Sequence, residues 1–253
     1  MPKLSQPFSD QPIADWIALF QQSKSADERL RALQAIGSRG QTAETEQWAT
    51  YGLDDADPTI KALAARLLSA TTTTAAVDPA TRLVSLLNDE DPDVRFEAAR
   101  ALIRRKSKHA AAARPVLLTF LDETETQPLM LAAVTNLLAE IDLDPATSVN
   151  ELLLRLKKLF GHDRGEVREA AAIAFAKWPA MATECSDLLL PLLDDSEPLV
   201  REKIAESLGQ AGVNNDAIRA GLQAATDDED TEVARVARLA LDRLNTAGGR
   251  SSP

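Results

Sequence analysis

Apolar positions along the chain recur with two nested periods. The short one is helical. In one segment after another, an acidic turn is followed by an aliphatic anchor and by apolar residues four, five, seven and eight positions later. Those offsets line one broad stripe of a helix. The stripe reads Ala64, Ala65, Leu67, Leu68 after Ile60 and Ala98, Ala99, Ala101, Leu102 after Val94. It reads Ala171, Ala172, Ala174, Phe175 after Val167 and Ile204, Ala205, Ser207, Leu208 after Val200. The long period is the distance between anchors. Glu28, Ile60, Val94, Met130, Val167, Val200 and Val233 stand 32 to 37 residues apart. Self-similarity at this length marks stacked units, each too small to bury its apolar face alone.

A second amphipathic stretch precedes these helices, as in ATRLVSLLND, NELLLRLKKLF and CSDLLLPLLDD. Each unit is therefore predicted to be an antiparallel helix pair, A then B. About seven pairs account for residues 10–246 as a single repeat domain, an α-solenoid. Asp57-Pro58, Asp91-Pro92 and Glu197-Pro198 place an acid before a proline at the start of B helices. Ser25 with Glu28, and Ser148 with Glu151, have the spacing of capping boxes. Gly37 and Gly209 stand where B helices are expected to stop. The first pair, anchored on Glu28, and the last, with Ala234 and Arg238 in place of an Arg and an Ala, read as end caps. Residues 1–9 and 247–253 read as a flexible N-terminus and a disordered tail.

Composition narrows the chemistry. Of 253 residues only 4% are aromatic, so the predicted stack packs through Ala and Leu. The lone Cys185 cannot form an internal disulfide or a zinc knuckle. The two histidines, His109 and His162, cannot build a multi-histidine metal site alone. No phosphate-binding glycine loop or nucleophile elbow is present. Acidic pairs such as Asp54-Asp55, Asp194-Asp195 and Asp227-Asp228 recur with the repeat and read as turn and cap chemistry, not as catalytic carboxylates. No enzyme activity, metal or cofactor is therefore expected. The N-terminus lacks the apolar core of a secretory leader, and no run approaches the ~18 apolar residues of a membrane span, so a soluble cytoplasmic protein is expected.

The segment with Pro79, Leu83, Leu86, Leu87, Asp89, Asp91, Val94, Arg95, Ala98, Ala99, Ala101 and Leu102 resembles the HEAT-repeat family, and nearly the whole chain shares the pattern. It is similar to short bacterial HEAT-like repeats, the kind also found in phycobilisome-lyase-type proteins. The resemblance implies an all-α, right-handed α-solenoid whose B helices line a concave binding face. It also implies a ladder between repeats, from an Asp in the A–B turn and a basic residue six positions later. Asp55 with Lys61, Asp89 with Arg95 and Asp195 with Arg201 fit it. His162 with Arg168, Glu125 with Leu131 and Asp228 with Ala234 depart from it.

Charge is uneven. The chain carries 39 acidic and 28 basic residues, net −11, which argues against a nucleic-acid binder. Yet Arg95 to Arg114 holds seven basic residues and one acid, Glu97. On B helices the exposed positions are expected at +3, +6 and +10 from the anchor. Arg66, Arg100, Arg104, Arg105, Lys106 and Lys108 are therefore candidates for a patch that meets an acidic protein partner. The plainer alternative is that the last four offset a helix C-terminal dipole and stay solvated. The expected function is a non-catalytic interaction scaffold binding its partner on the concave face. An accessory lyase or chaperone of a chromophore-bearing protein is the second reading, and a binder of nucleic acid or alkylated bases the third. Against the third, Trp16 and Trp178 read as core, whereas Trp48, beside Tyr51, least clearly belongs inside.

Overall fold

The computed structural model describes residues 11–70, 78–122, 128–141, 145–176, 187–212 and 214–248, and every regular element among them is helical. In chain order they are α1 (Ile13–Gln22), α2 (Ala26–Gly37), α3 (Ala43–Gly52), α4 (Pro58–Ala70), α5 (Ala80–Leu86), α6 (Pro92–Arg104), α7 (Ala113–Asp122), α8 (Pro128–Glu140), α9 (Pro145–Phe160), α10 (Gly165–Phe175), α11 (Pro198–Ala211), α12 (Asp216–Ala225) and α13 (Thr231–Gly248). Short 3-10 turns at Ala110–Ala112 and Leu190–Asp194 complete them. The B helices are α2, α4, α6, α8, α10, α11 and α13. The fold is all-α and of the repeat-solenoid kind.

The B helices begin where an acid can cap them. Asp91 Oδ1 accepts the backbone N–H groups of Asp93 and of the anchor Val94, at 2.9 and 3.1 Å. Asp57 does the same for Thr59 and Ile60, and Asp230 for Glu232 and Val233. Each cap satisfies donors that the first helical turn leaves open. Glu197 precedes α11 without a side-chain cap bond.

Two predicted boundaries and one predicted cap bond are corrected. Helix α9 begins at Pro145, so Ser148 lies inside its first turns and is not a cap. Proline at that first position lacks only an N–H that would be unpaired there anyway. Ser25 precedes α2 but makes no side-chain cap bond; Ser23 Oγ accepts the Ser25 N–H at 3.0 Å and donates to Glu28 Oε2 at 2.5 Å. Gly209 does not end a helix. A Cβ built on it would lie 2.6 Å from Ala240 Cβ, so its place inside α11 permits close approach to α13. The helix ends three residues later at Gly212, whose left-handed φ of 67° suits a residue without a Cβ.

The chain divides into two compact units, Met1–Leu117 and Leu118–Pro253, with the division inside α7. In the first, α2 packs on α4 and α4 on α6, each B helix also resting on its own A helix. In the second, α8, α10, α11 and α13 stack in the same order. The Ala rows make these approaches possible: Ala64, Ala65, Ala98, Ala99, Ala101, Ala171, Ala172 and Ala205 are all fully buried. Trp16 is buried in the first unit. Trp48 is half-buried, edge-on to Phe20 at 6.3 Å and tilted against the exposed Tyr51 at 5.3 Å. Trp178, Cys185, Glu125, residues 1–9 and the tail beyond Gly248 lie outside the described residues.

Candidate functional site

The turn between A and B helices holds the ladder residues, and the rungs run forward along the chain. Arg29 grips Asp55 with two parallel hydrogen bonds of 2.8 Å, Nε to Oδ2 and Nη2 to Oδ1. Lys61 pairs with Asp89, Arg168 with Asp195, and Arg201 with Asp228. A basic residue therefore bonds the carboxylate of the next repeat. Within its own repeat it reaches a carbonyl instead. Arg95 Nη1 donates to Asp89 O, Arg168 Nη1 to His162 O, and Arg201 Nη1 to Asp195 O, at 2.8–2.9 Å. The carboxylate also accepts the backbone N–H two residues on, as Asp55 does from Asp57 and Asp195 from Glu197.

Each carboxylate is thus held by the base of the repeat before it: Asp55 by Arg29, Asp89 by Lys61 and Asp195 by Arg168, while Arg95 reaches the carbonyls of Asp89 and Glu90. This forward pairing also explains the departures. Arg168 needs only a carbonyl from its own turn, and His162 supplies one. His162 Nδ1 takes over the local duty of the missing Asp by accepting the Arg164 N–H at 3.1 Å. The preceding repeat carries the buried Leu131 where a base would stand, so no cation arrives to need a carboxylate. Asp228 is paired through Arg201, whatever Ala234 lacks. At the other end, Ser23 stands six residues before Arg29 and gives its carbonyl to Arg29 Nη1.

The carboxylates respond. Burial alone would raise Asp55 and Asp195, but the guanidinium hydrogen bonds from Arg29 and Arg168, with the local N–H bonds, hold both below the usual carboxylate range. At Asp228 the Arg201 hydrogen bond is the largest influence, and its carboxyl is lowered too.

The predicted basic patch comes apart into two sets. Arg66 on α4 is exposed, and Arg100 and Arg104 lie one turn apart on α6. Arg104 from the same helix and Arg66 from the adjacent, stacked B helix both act electrostatically on Arg100. Arg105 belongs elsewhere. It turns inward to pair with Glu46, which is wholly buried on α3, and reaches Leu68 O at 3.3 Å. One residue past Arg104 is 100° around the helix, and that rotation takes Arg105 off the shared face. Lys106 and Lys108 are exposed in the turn after α6. Lys106 adopts a left-handed φ of 50°, its N–H bonded to Ile103 O at 2.8 Å while Ser107 N–H reaches Leu102 O at 3.0 Å. That is the Schellman arrangement with lysine where glycine is usual.

Glu97, the one acid of the basic stretch, sits within the first set. Its Oε2 lies 2.6 Å from Arg100 Nη2, one helical turn away. The contact is close but poorly aligned: Glu97 Oε2 and Arg100 Nε are buried and complete no hydrogen bond. The Arg100 guanidinium also lies over the Phe96 ring, 5.9 Å from its centroid. Burial pushes the Glu97 carboxyl above its ordinary range, against the pull of Arg100 and Arg66. Burial likewise lowers the Arg100 guanidinium. The +3 row is thus not uniformly exposed: Leu63, Ala170 and Val236 share the position and are buried, whereas Arg31 is exposed. Among the described residues no three His, Cys, Asp or Glu side chains come together as a metal-binding group. None of the described helices is long and apolar enough to cross a membrane.

Residues 149–242 match the HEAT-repeat family. The fold is similar to a crystallised engineered protein, with 24% identity, 79% of this chain and 96% of that chain covered, and a TM-score of 0.59. It is similar to a designed armadillo repeat protein, with 20% identity, 79% and 99% covered, and a TM-score of 0.56. It is also similar to a mutant of Kap121p, with 16% identity, a TM-score of 0.64, and 92% of this chain aligned to 27% of that longer one. No curated protein matches the sequence.

Proposed function

We propose that this chain, a HEAT-repeat protein, is a non-catalytic scaffold that holds an acidic segment of a partner protein on the B-helix face of its first unit. One observation carries the reading: Arg66, Arg100 and Arg104 stand on adjacent stacked B helices, with Arg66 and Arg104 both acting electrostatically on Arg100, in a chain of net charge −11. Guanidinium groups grip carboxylates in a fixed fork, and clustered positive charge steers an acidic segment into register. A designed armadillo repeat protein for modular peptide recognition, 19% identical, has a similar fold, with a TM-score of 0.50.

The test is charge reversal. Arg66→Glu with Arg104→Glu should weaken binding of a glutamate-rich peptide at least tenfold, measured by calorimetry at low salt. Wild-type affinity should itself fall as salt rises. Unchanged affinity in the double variant rejects the reading, and preference for duplex DNA over the peptide replaces it with a nucleic-acid one.

A further inference from the structure

The basic face already holds a carboxylate. Glu97 projects from the same helix as Arg100 and approaches its guanidinium to 2.6 Å, with Arg66 of the neighbouring helix acting on both. We infer that Glu97 is an internal stand-in for the partner's carboxylate: it occupies Arg100 in the free protein, and an acidic segment must displace it to bind. This inference rests on the reading above and adds to it a residue that sets affinity and selectivity.

Three features of the contact support displacement over permanent pairing. The arginine rungs of the ladder show what a settled ion pair looks like in this protein: two parallel hydrogen bonds of 2.7–2.9 Å, as in Arg168 with Asp195. The Glu97–Arg100 contact has none, and Arg100 Nε stays buried without an acceptor. Glu232 and Arg235, at the same spacing of three, do form the two-bond fork, so the misalignment of Glu97 belongs to its buried surroundings and not to helix geometry. Second, the Arg100 guanidinium lies over the Phe96 ring, 5.9 Å from its centroid, an attraction that does not depend on Glu97. Third, burial destabilises the Glu97 charge where it stands, so the contact with Arg100 is held against a desolvation cost.

The displacement also implies selectivity. A single exposed carboxylate exchanges like for like with Glu97 and gains little. A segment with several adjacent acids engages Arg66 and Arg104 at the same time and outcompetes it. The site therefore discriminates clustered acids from isolated ones.

The experiment titrates an octaglutamate peptide into the full chain by fluorescence anisotropy. Wild type is compared with Glu97→Gln, Glu97→Ala and Arg66→Glu, and each variant's melting is followed by circular dichroism. Removing the internal carboxylate should tighten binding about tenfold in both Glu97 variants, while Arg66→Glu weakens it. A peptide with one glutamate among serines should gain proportionally more, because it competes least well with Glu97. If Arg66→Glu loses binding but both Glu97 variants bind like wild type or more weakly, the stand-in role is overturned and the binding face stands. If the peptide binds neither wild type nor the Glu97 variants, both fall.

Discussion

Lys106 is a residue held at a cost. In the left-handed region a side chain meets its own backbone, at roughly 1 kcal/mol, and only the end of α6 demands that conformation there. Lys106→Gly should therefore stabilise the protein by about 0.5–1 kcal/mol, read as a higher midpoint in urea unfolding. A fall would mean that the lysine side chain repays its strain through contacts at the turn. Arg105, its neighbour, shows the opposite economy. Its charge is drawn inward by Glu46, 59 positions away in the chain. No local pattern in the sequence announces such a pair, so the run of basic residues looks uniform until the tertiary fold sorts it. Glu97 and Arg100, in contrast, stand at a helix-facing spacing of three, and their proximity was legible; the poor alignment was not.

At the scale of the helical elements, the ladder decides how one pair sits on the next. The forward rungs are well buried: the Arg201 and Asp228 side chains are 8% and 10% exposed. Removing one member leaves the other charge buried alone. Asp228→Ala should accordingly cost about 3 kcal/mol of stability. His162→Ala should cost no more than about 1 kcal/mol, since it loses one local acceptor and no cation. Thermal unfolding of the two variants side by side checks the contrast, and equal losses would refute the forward pairing. The helices themselves were legible because burial at +4, +5, +7 and +8 follows directly from helical periodicity. Their ends were less so. The mid-helix place of Gly209 depends on Ala240 of another helix, which no local rule contains.

For the whole molecule, the repeated turn carboxylates make stability depend on pH. Asp55, Asp89, Asp195 and Asp228 are each held below their ordinary carboxyl range in the fold. In the unfolded chain they return to about 3.9. Depressed folded values mean that the unfolded state binds more protons, so this stabilisation is fully present above pH ~4 and is lost as pH falls through the folded values. Urea midpoints should therefore stay level from neutrality down to about pH 5 and then drop steeply, with the Asp228→Ala protein dropping less. A drop already complete at pH 6 would assign acid sensitivity to other groups. The same turns account for much of the net charge of −11, so the acidity of the chain does not describe the face that carries Arg66 and Arg104.

Sequence alone determined the repeat, the pairing of helices and the chemistry of each turn, because these depend on residues within one helical turn or one 34-residue unit of each other. The tertiary structure alone decided which repeat each ladder cation serves, which arginine of the basic run faces outward, and where a helix can tolerate glycine. Those outcomes depend on where stacking places the next helix: Asp55 meets Arg29 and Glu46 meets Arg105 only once the units are packed, and distance along the chain does not encode that meeting.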